Sequence, residues 1–131
     1  MKKIKEGYNT WAYQYDNNIN PTRDLDKTVT KEFLSNIDFF KVLELGCGTG
    51  KNTKWLITKA DKIVGLDFSK DMLDVARKKI ASKKVTFINA DLNKIWPINN
   101  NSFDLATINL TLEHIEKLDH IFYSLFMKLV Q

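Results

Sequence analysis

Val42-Leu43-Glu44-Leu45-Gly46-Cys47-Gly48-Thr49-Gly50 is the stretch on which the reading of this chain turns. Val42 to Leu45 is a short apolar run of the length expected for a buried strand. It ends in a turn with a glycine at every second position, and Trp55 and Leu56 then lie in a helical stretch to about Lys59. Strand, glycine-rich turn and helix follow in that order. Glycines in such a turn let the backbone bend sharply and approach a ligand where a side chain would clash.

Working outward, the next segments repeat the pattern. Lys62 to Leu66 reads as a second strand ended by Asp67, and Ser69 can cap a helix that buries Met72, Leu73, Ala76 and Ile80. Val85 to Ala90 is a third strand ended by Asp91. Phe103 to Leu110 is a fourth, preceded by a linker from Asn93 to Ser102. The last helix, roughly Leu112 to Val130, places Ile115, Leu118, Phe122, Leu125 and Leu129 on one face. Upstream, a helix after Pro21, with Thr22 as its N-cap, repeats Leu25, Val29, Phe33 and Ile37 and runs to about Asn36. Strands alternating with helices imply an α/β fold with a parallel sheet and right-handed crossovers.

Composition bounds the function classes. The 131 residues are 44% hydrophobic and 27% charged, which fits one ordinary domain, residues 1–131, rather than a disordered tract. Twenty Lys and Arg against sixteen Asp and Glu leave a charge of +4, spread without any basic run of five, so nucleic acid is not indicated as a partner. The single Cys47 cannot form an internal disulfide, and no stretch approaches the roughly 20 apolar residues of a membrane span. The expected compartment is the cytoplasm. One Cys and two His make no metal-ligand cluster of recognisable spacing.

The chemistry sits around the glycines. Asp67 follows Gly50 by 17 residues, at a strand end where a carboxylate can accept hydrogen bonds from both ribose hydroxyls of a nucleoside. The dinucleotide fingerprint Gly-x-Gly-x-x-Gly fails, because its third glycine falls on Lys51. Glu44, two residues before the first glycine, would repel a pyrophosphate and suits a ligand that bears an ammonium group. Asp67 read as a residue of a surface turn implies that its removal leaves the fold intact. Cys47 reads as a small residue that fits the turn rather than as a nucleophile. His114 reads as a helix-start cap, and His120 as a solvent-facing residue in mid-helix.

These segments together resemble the S-adenosylmethionine-dependent methyltransferases of Rossmann-like fold. Val42 to Gly50 looks like that family's first motif, and Ile63-Val64-Gly65-Leu66-Asp67-Phe68-Ser69 with Met72-Leu73 like its second. Asp91 after Val85 to Ala90, and Phe103 to Leu110 through Glu113-His114-Ile115, look like its third and fourth. The resemblance covers about residues 39 to 130. It implies a three-layer sandwich with strands in the order 3-2-1-4, and a cofactor, S-adenosylmethionine, whose spent form is S-adenosylhomocysteine.

The resemblance also implies roles. Glu44 would hold the cofactor's amino group through water, with Gly46, Cys47, Gly48 and Gly50 lining its methionine moiety. Asp67 would bind both ribose hydroxyls, and Phe68 and Met72 would lie against the adenine or simply fill core. Asp91 and the Leu92 backbone would bind the adenine's amino edge, and Asn109 and Leu110 would sit beside the sulfonium. Tyr8, Trp11, Tyr15 and Arg23 belong to an aromatic N-terminal flap, residues 1–21 and just beyond, that is either packed or a lid. No catalytic residue is identified, since methyl transfer needs alignment more than a base.

The acceptor is expected to be a small molecule, because Asn109-Leu110-Thr111-Leu112 departs from the Asn-Pro-Pro-Tyr of the amino-methylating nucleic-acid enzymes. The family's fifth strand and closing hairpin are absent from this chain. A truncated form of a longer methyltransferase is therefore expected, with the fourth strand's open edge covered by a homo-oligomer. The alternative is a non-catalytic S-adenosylmethionine-binding or interaction module completed by self-association or a partner chain.

Overall fold

A strand covered on both faces needs buried side chains at successive positions, and Val42, Glu44 and their neighbours Leu43 and Leu45 are all buried. The computed structural model describes residues 29, 31–108 and 118–130. Within them the chain forms β1 (Lys41–Leu45), α1 (Lys51–Leu56), β2 (Lys62–Asp67), α2 (Lys70–Lys79), β3 (Val85–Asn89), β4 (Leu105–Ile108) and α3 (Leu118–Lys128). The sheet order is β3-β2-β1-β4 and every pairing is parallel, as expected.

Two cores sandwich the sheet. On one face Val42 and Ile63 pack with Leu34, Phe39, Leu56 and Ala60. On the other, Leu43, Leu45, Val64 and Leu66 pack with Leu92, Trp96, Phe103 and Ile121 of α3. The alternation of side chains along β1 and β2 sends neighbouring residues into opposite cores. Ser69 caps α2 by accepting from the Met72 backbone N–H at 3.3 Å, as its position predicts. Truncating Leu66, which is fully buried in the second core, to Ala is expected to cost about 2–5 kcal/mol. Urea denaturation measures this.

The helix faces differ from the sequence reading. Val29 and Phe33 are exposed, whereas Leu34 is buried against Phe39 and Val42. In α3, Ile121 and Ser124 are the buried residues, with Leu125 and Leu129 at the margin, while Leu118 and Phe122 are exposed. Apolar residues occupy nearly the whole circumference of α3, so its periodicity does not single out one stripe. Contact with Leu43, Leu45 and Trp96 decides which side turns inward. His120 does not simply face solvent: its Nε2 lies 2.8 Å from the Lys94 carbonyl, and its ring meets Trp96 edge-on. The third strand ends at Asn89 rather than Ala90, and Ile80 is half-buried just past the end of α2.

The fourth strand is shorter than expected at its start. Phe103 forms an isolated parallel bridge with Leu129, and the Val130 N–H donates to the Phe103 carbonyl at 2.7 Å. The chain leaving α3 thus comes alongside the start of β4, on the side away from β1. Asp104 turns the other way and ties the sheet's lower end, accepting from the backbone N–H groups of Phe40 and Lys41 at 2.9 Å each. The expected helix over 22–36 falls mostly outside the described residues, as do His114 and Ile115. No described helix is long and apolar enough to cross a membrane.

Candidate functional site

In an open parallel sheet the loops at the strands' C-terminal ends diverge where strand order reverses, leaving a crevice. Here that point is β1, flanked by β2 on one side and β4 on the other. The glycine-rich turn leaves β1 at this place. Its Gly46 N–H donates to the Leu66 carbonyl at 2.8 Å, which ties the turn to the end of β2. Gly46, Gly48 and Gly50 all have left-handed backbones, with φ of 70°, 57° and 83°. At Gly48 an added Cβ would meet nothing within 4 Å, so this glycine's α-carbon faces open space.

Asp67 closes the other side of the turn. Its Oδ2 accepts from the Gly48 N–H at 2.9 Å and its Oδ1 from the Ser69 N–H at 2.8 Å. The carboxylate is therefore fixed between the turn and the start of α2. It is only 6% exposed, and burial pushes its pKa up against the lowering effect of the backbone N–H groups it accepts from. This corrects the surface-turn reading: Asp67 is a buried member of the turn's own hydrogen bonding, so deleting its side chain also removes the acceptor of the Gly48, Ser69 and Phe68 backbone N–H groups.

Glu44 lies under the same turn. It is 1% exposed, and its Oε1 accepts a short hydrogen bond from the Thr53 hydroxyl of α1. Burial raises its pKa to about 7, with the Thr53 bond opposing and nearby Asp67 adding to the rise. The site thus holds an acid poised between its neutral and charged forms near neutral pH. Cys47 is buried too, and burial first, then Glu44 and Asp67, push its thiol well above the ordinary range. It is a thiol rather than a thiolate, in agreement with its reading as a space-filling residue.

Gly65, which sequence reasoning quoted only as part of a motif, makes the turn's position sterically feasible. A Cβ there would lie 2.9 Å from the Cys47 Sγ and 3.1 Å from Phe87 Cδ1. Gly65→Ala is accordingly expected to destabilise the fold by about 1–3 kcal/mol through overpacking. Urea denaturation checks it, and an unchanged midpoint would show that the turn can move aside. Thr53, as the clamp on Glu44, was likewise missed. Its signal was present in the sequence: a threonine in the first turn of the helix that follows the glycines faces back toward the strand.

The remaining expected residues separate into groups. Phe68 and Met72 are both buried, at 8% and 2% exposure, at the start of α2. Asp91 forms a turn through its Oδ1, which accepts from the Asn93 N–H at 2.9 Å. Leu92 is in the core and its carbonyl accepts from the Trp96 indole at 2.9 Å. Trp96, another residue that the sequence reading passed over, thereby braces the segment after β3. Glu44, Cys47, Gly48 and Asp67 are brought together at the ends of β1 and β2. Tyr8, Trp11, Tyr15, Arg23, Asn109 and Leu110 lie outside the described residues.

This geometry is that of a Rossmann-like class I methyltransferase: a parallel 3-2-1-4 sheet, helices on both faces, and an acid and a glycine turn at the switch point. The family model described as a methyltransferase domain matches residues 42–129, and the chain belongs to that family. It is 33% identical over 119 residues to a malonyl-[acyl-carrier protein] O-methyltransferase of Buchnera aphidicola, covering 88% of this chain and 45% of that one. It is 30% identical over 123 residues to a demethylmenaquinone methyltransferase of Lactococcus lactis, covering 86% and 48%. Among solved structures, an S-adenosylmethionine-dependent methyltransferase from Mesorhizobium loti superposes with a TM-score of 0.71 at 30% identity, covering 79% of this chain and 48% of that one. The chain spans about half the length of the curated relatives it matches.

Proposed function

We propose that this chain binds S-adenosylmethionine at the ends of β1 and β2 and serves methyl transfer to a small-molecule acceptor. The observation that carries the reading is the pairing of two buried acids on either side of one glycine turn. Asp67 is held by the Gly48 and Ser69 N–H groups, and Glu44 is held by Thr53. A buried carboxylate without a cation is unfavourable, and keeping two of them together is a cost that a cationic, hydroxyl-bearing ligand offsets.

The residues present fit that cofactor. Glu44 would attract the ammonium of its amino-acid end, and the open side of Gly48 lets the chain pass close to the backbone. The Asp67 carboxylate accepts from the Gly48, Ser69 and Phe68 backbone N–H groups and, with about four lone-pair sites on its two oxygens, retains acceptor capacity for a ribose hydroxyl. Phe68, Met72, Asp91 and Leu92 would flank the base, while Asn109, Leu110, Tyr15 and Arg23 would complete the pocket. When bound, S-adenosylmethionine supplies an electrophilic methyl group on a sulfonium. The protein's part is then to fix the ligand's two ends, exclude water and align the acceptor.

A small-molecule acceptor is supported by the sequence after β4, Asn109-Leu110-Thr111-Leu112. The two curated relatives are named for different acceptors, so membership of the family leaves the acceptor's identity to experiment. The test is release of S-adenosylhomocysteine when the chain is supplied with S-adenosylmethionine and a panel of carboxylate, thioester and quinol acceptors. Acceptor-dependent release above the no-acceptor control is expected. Tight cofactor binding with no release on any acceptor would instead favour a non-catalytic binding module.

A further inference from the structure

Thr107 is the Cα partner of Glu44 in the parallel pairing of β1 with β4. Paired residues of neighbouring strands send their side chains to the same face of a sheet. Leu105, two residues earlier, packs with Val42 and Leu56, which places Thr107 on the α1 side, as Glu44 is. Glu44's other cross-strand neighbour is Gly65, which brings no side chain. Thr107 is thus the polar side chain that the sheet places beside the buried acid.

Its Oγ1 is buried and, among the described residues, has no hydrogen-bond partner. Most buried polar groups are paired, and an orphan calls for a specific explanation. Valine would fill the same volume in a strand without stranding a hydroxyl. A hydroxyl kept here, next to an acid suited to a cation, fits a partner that arrives with the ligand.

We propose that Thr107 is a further ligand-binding residue whose Oγ1 accepts a hydrogen bond from the ammonium group of the ligand's amino-acid end. The proposal rests on the cofactor reading above. An ammonium offers several donors, and one Glu44 oxygen is already engaged by Thr53. A neutral acceptor on the adjoining strand can take a second donor. Thr107 would then select for ligands that carry the amino-acid moiety over those that carry the nucleoside alone.

The experiment compares two probes by titration calorimetry: S-adenosylhomocysteine, and 5′-methylthioadenosine, which lacks the amino-acid end. Thr107→Val is expected to weaken S-adenosylhomocysteine about tenfold, or about 1.4 kcal/mol, and to leave 5′-methylthioadenosine within twofold. Thr107→Ser should restore the first affinity. Thermal melting of the ligand-free Thr107→Val protein should show an unchanged or higher midpoint. Thr107→Ala gives the same ratio of affinities should the valine variant not fold. Equal losses for both probes, or none for either, would overturn the assignment. Failure of the unsubstituted protein to bind either probe would overturn the cofactor reading itself, and the assignment with it.

Discussion

Asp67→Asn is expected to weaken binding of S-adenosylhomocysteine at least hundredfold while leaving the fold in place. Hydrogen bonds to a charged acceptor contribute about 1.5–3 kcal/mol each, and the ribose reading assigns Asp67 two of them. Asparagine keeps one carbonyl oxygen for the Ser69 N–H but presents an amide donor where the Gly48 N–H now donates to Oδ2. The turn therefore loses a partner at the point where the ligand is read. Asp67→Ala makes the comparison informative, because it strands the backbone donors that the carboxylate holds and should cost stability as well, about 1–3 kcal/mol per unsatisfied group. Calorimetric affinity and urea denaturation of the two variants separate these effects. An Asp67→Asn affinity within threefold of the original would show that the ribose lies elsewhere.

Glu44→Gln should move stability and affinity in opposite directions. In the folded protein the Glu44 pKa is raised to about 7 from 4.5. A raised acid pKa means that folding favours the protonated form. The stabilisation is complete below about pH 4.5 and is lost as pH rises through 7, amounting to about 3 kcal/mol by pH 8. Burial of Asp67 acts in the same direction, beginning from its lower ordinary value. The glutamine side chain would keep an oxygen for the Thr53 hydroxyl and abolish the titration, so the variant should be more stable than the original at pH 8 and show a flatter pH profile.

Affinity should behave the other way. An ammonium group facing Glu44 favours the ionised carboxylate, so S-adenosylhomocysteine should bind more tightly as pH rises from about 5.5 to 8, with proton release below about pH 7. In Glu44→Gln that pH dependence should vanish and affinity at about pH 8 should fall about tenfold or more, as expected for loss of a charge-assisted bond. A functional acid that costs stability is a common trade between activity and fold. A Glu44→Gln protein that is less stable at that pH yet binds normally would make Glu44 a purely structural residue.

The strands and the two acids beside the glycine turn were legible because they depend on local signals, while the sheet order followed from the family resemblance. Val42 to Leu45 and Ile63 to Leu66 are short, largely apolar runs of the length of strands buried on both faces, and a glycine turn followed by an acid at the next strand end marks the switch point. The rotation of the helices was not legible in the same way. Leu34 rather than Phe33 turns inward, and Ile121 rather than Phe122, because apolar residues stand at adjacent positions and the choice is made by what lies across the interface. Gly65 and Thr107 escaped attention for a related reason. Each lies beside a residue distant in sequence, Cys47 for the glycine and Glu44 for the threonine, and strand register is needed to bring them together.

The outer side of β4 illustrates the same limit. The expectation of a bare edge followed from counting strands, but the chain after α3 returns to Phe103 in a parallel bridge. That return follows from a right-handed crossover, which sends the segment after α3 to the side of β4 away from β1. Leu105 to Ile108 has no further strand beside it among the described residues, and Phe122, Tyr123 and Phe126 of α3 are exposed.

Calorimetric titration of the purified chain with S-adenosylhomocysteine, using NADH as the control ligand, tests the central claim most directly. Saturable one-to-one binding of S-adenosylhomocysteine in the micromolar range, with none of NADH, is the predicted result. Binding of NADH in preference, or of neither ligand by a sample whose cooperative melting shows it folded, would contradict the assignment of this site to S-adenosylmethionine.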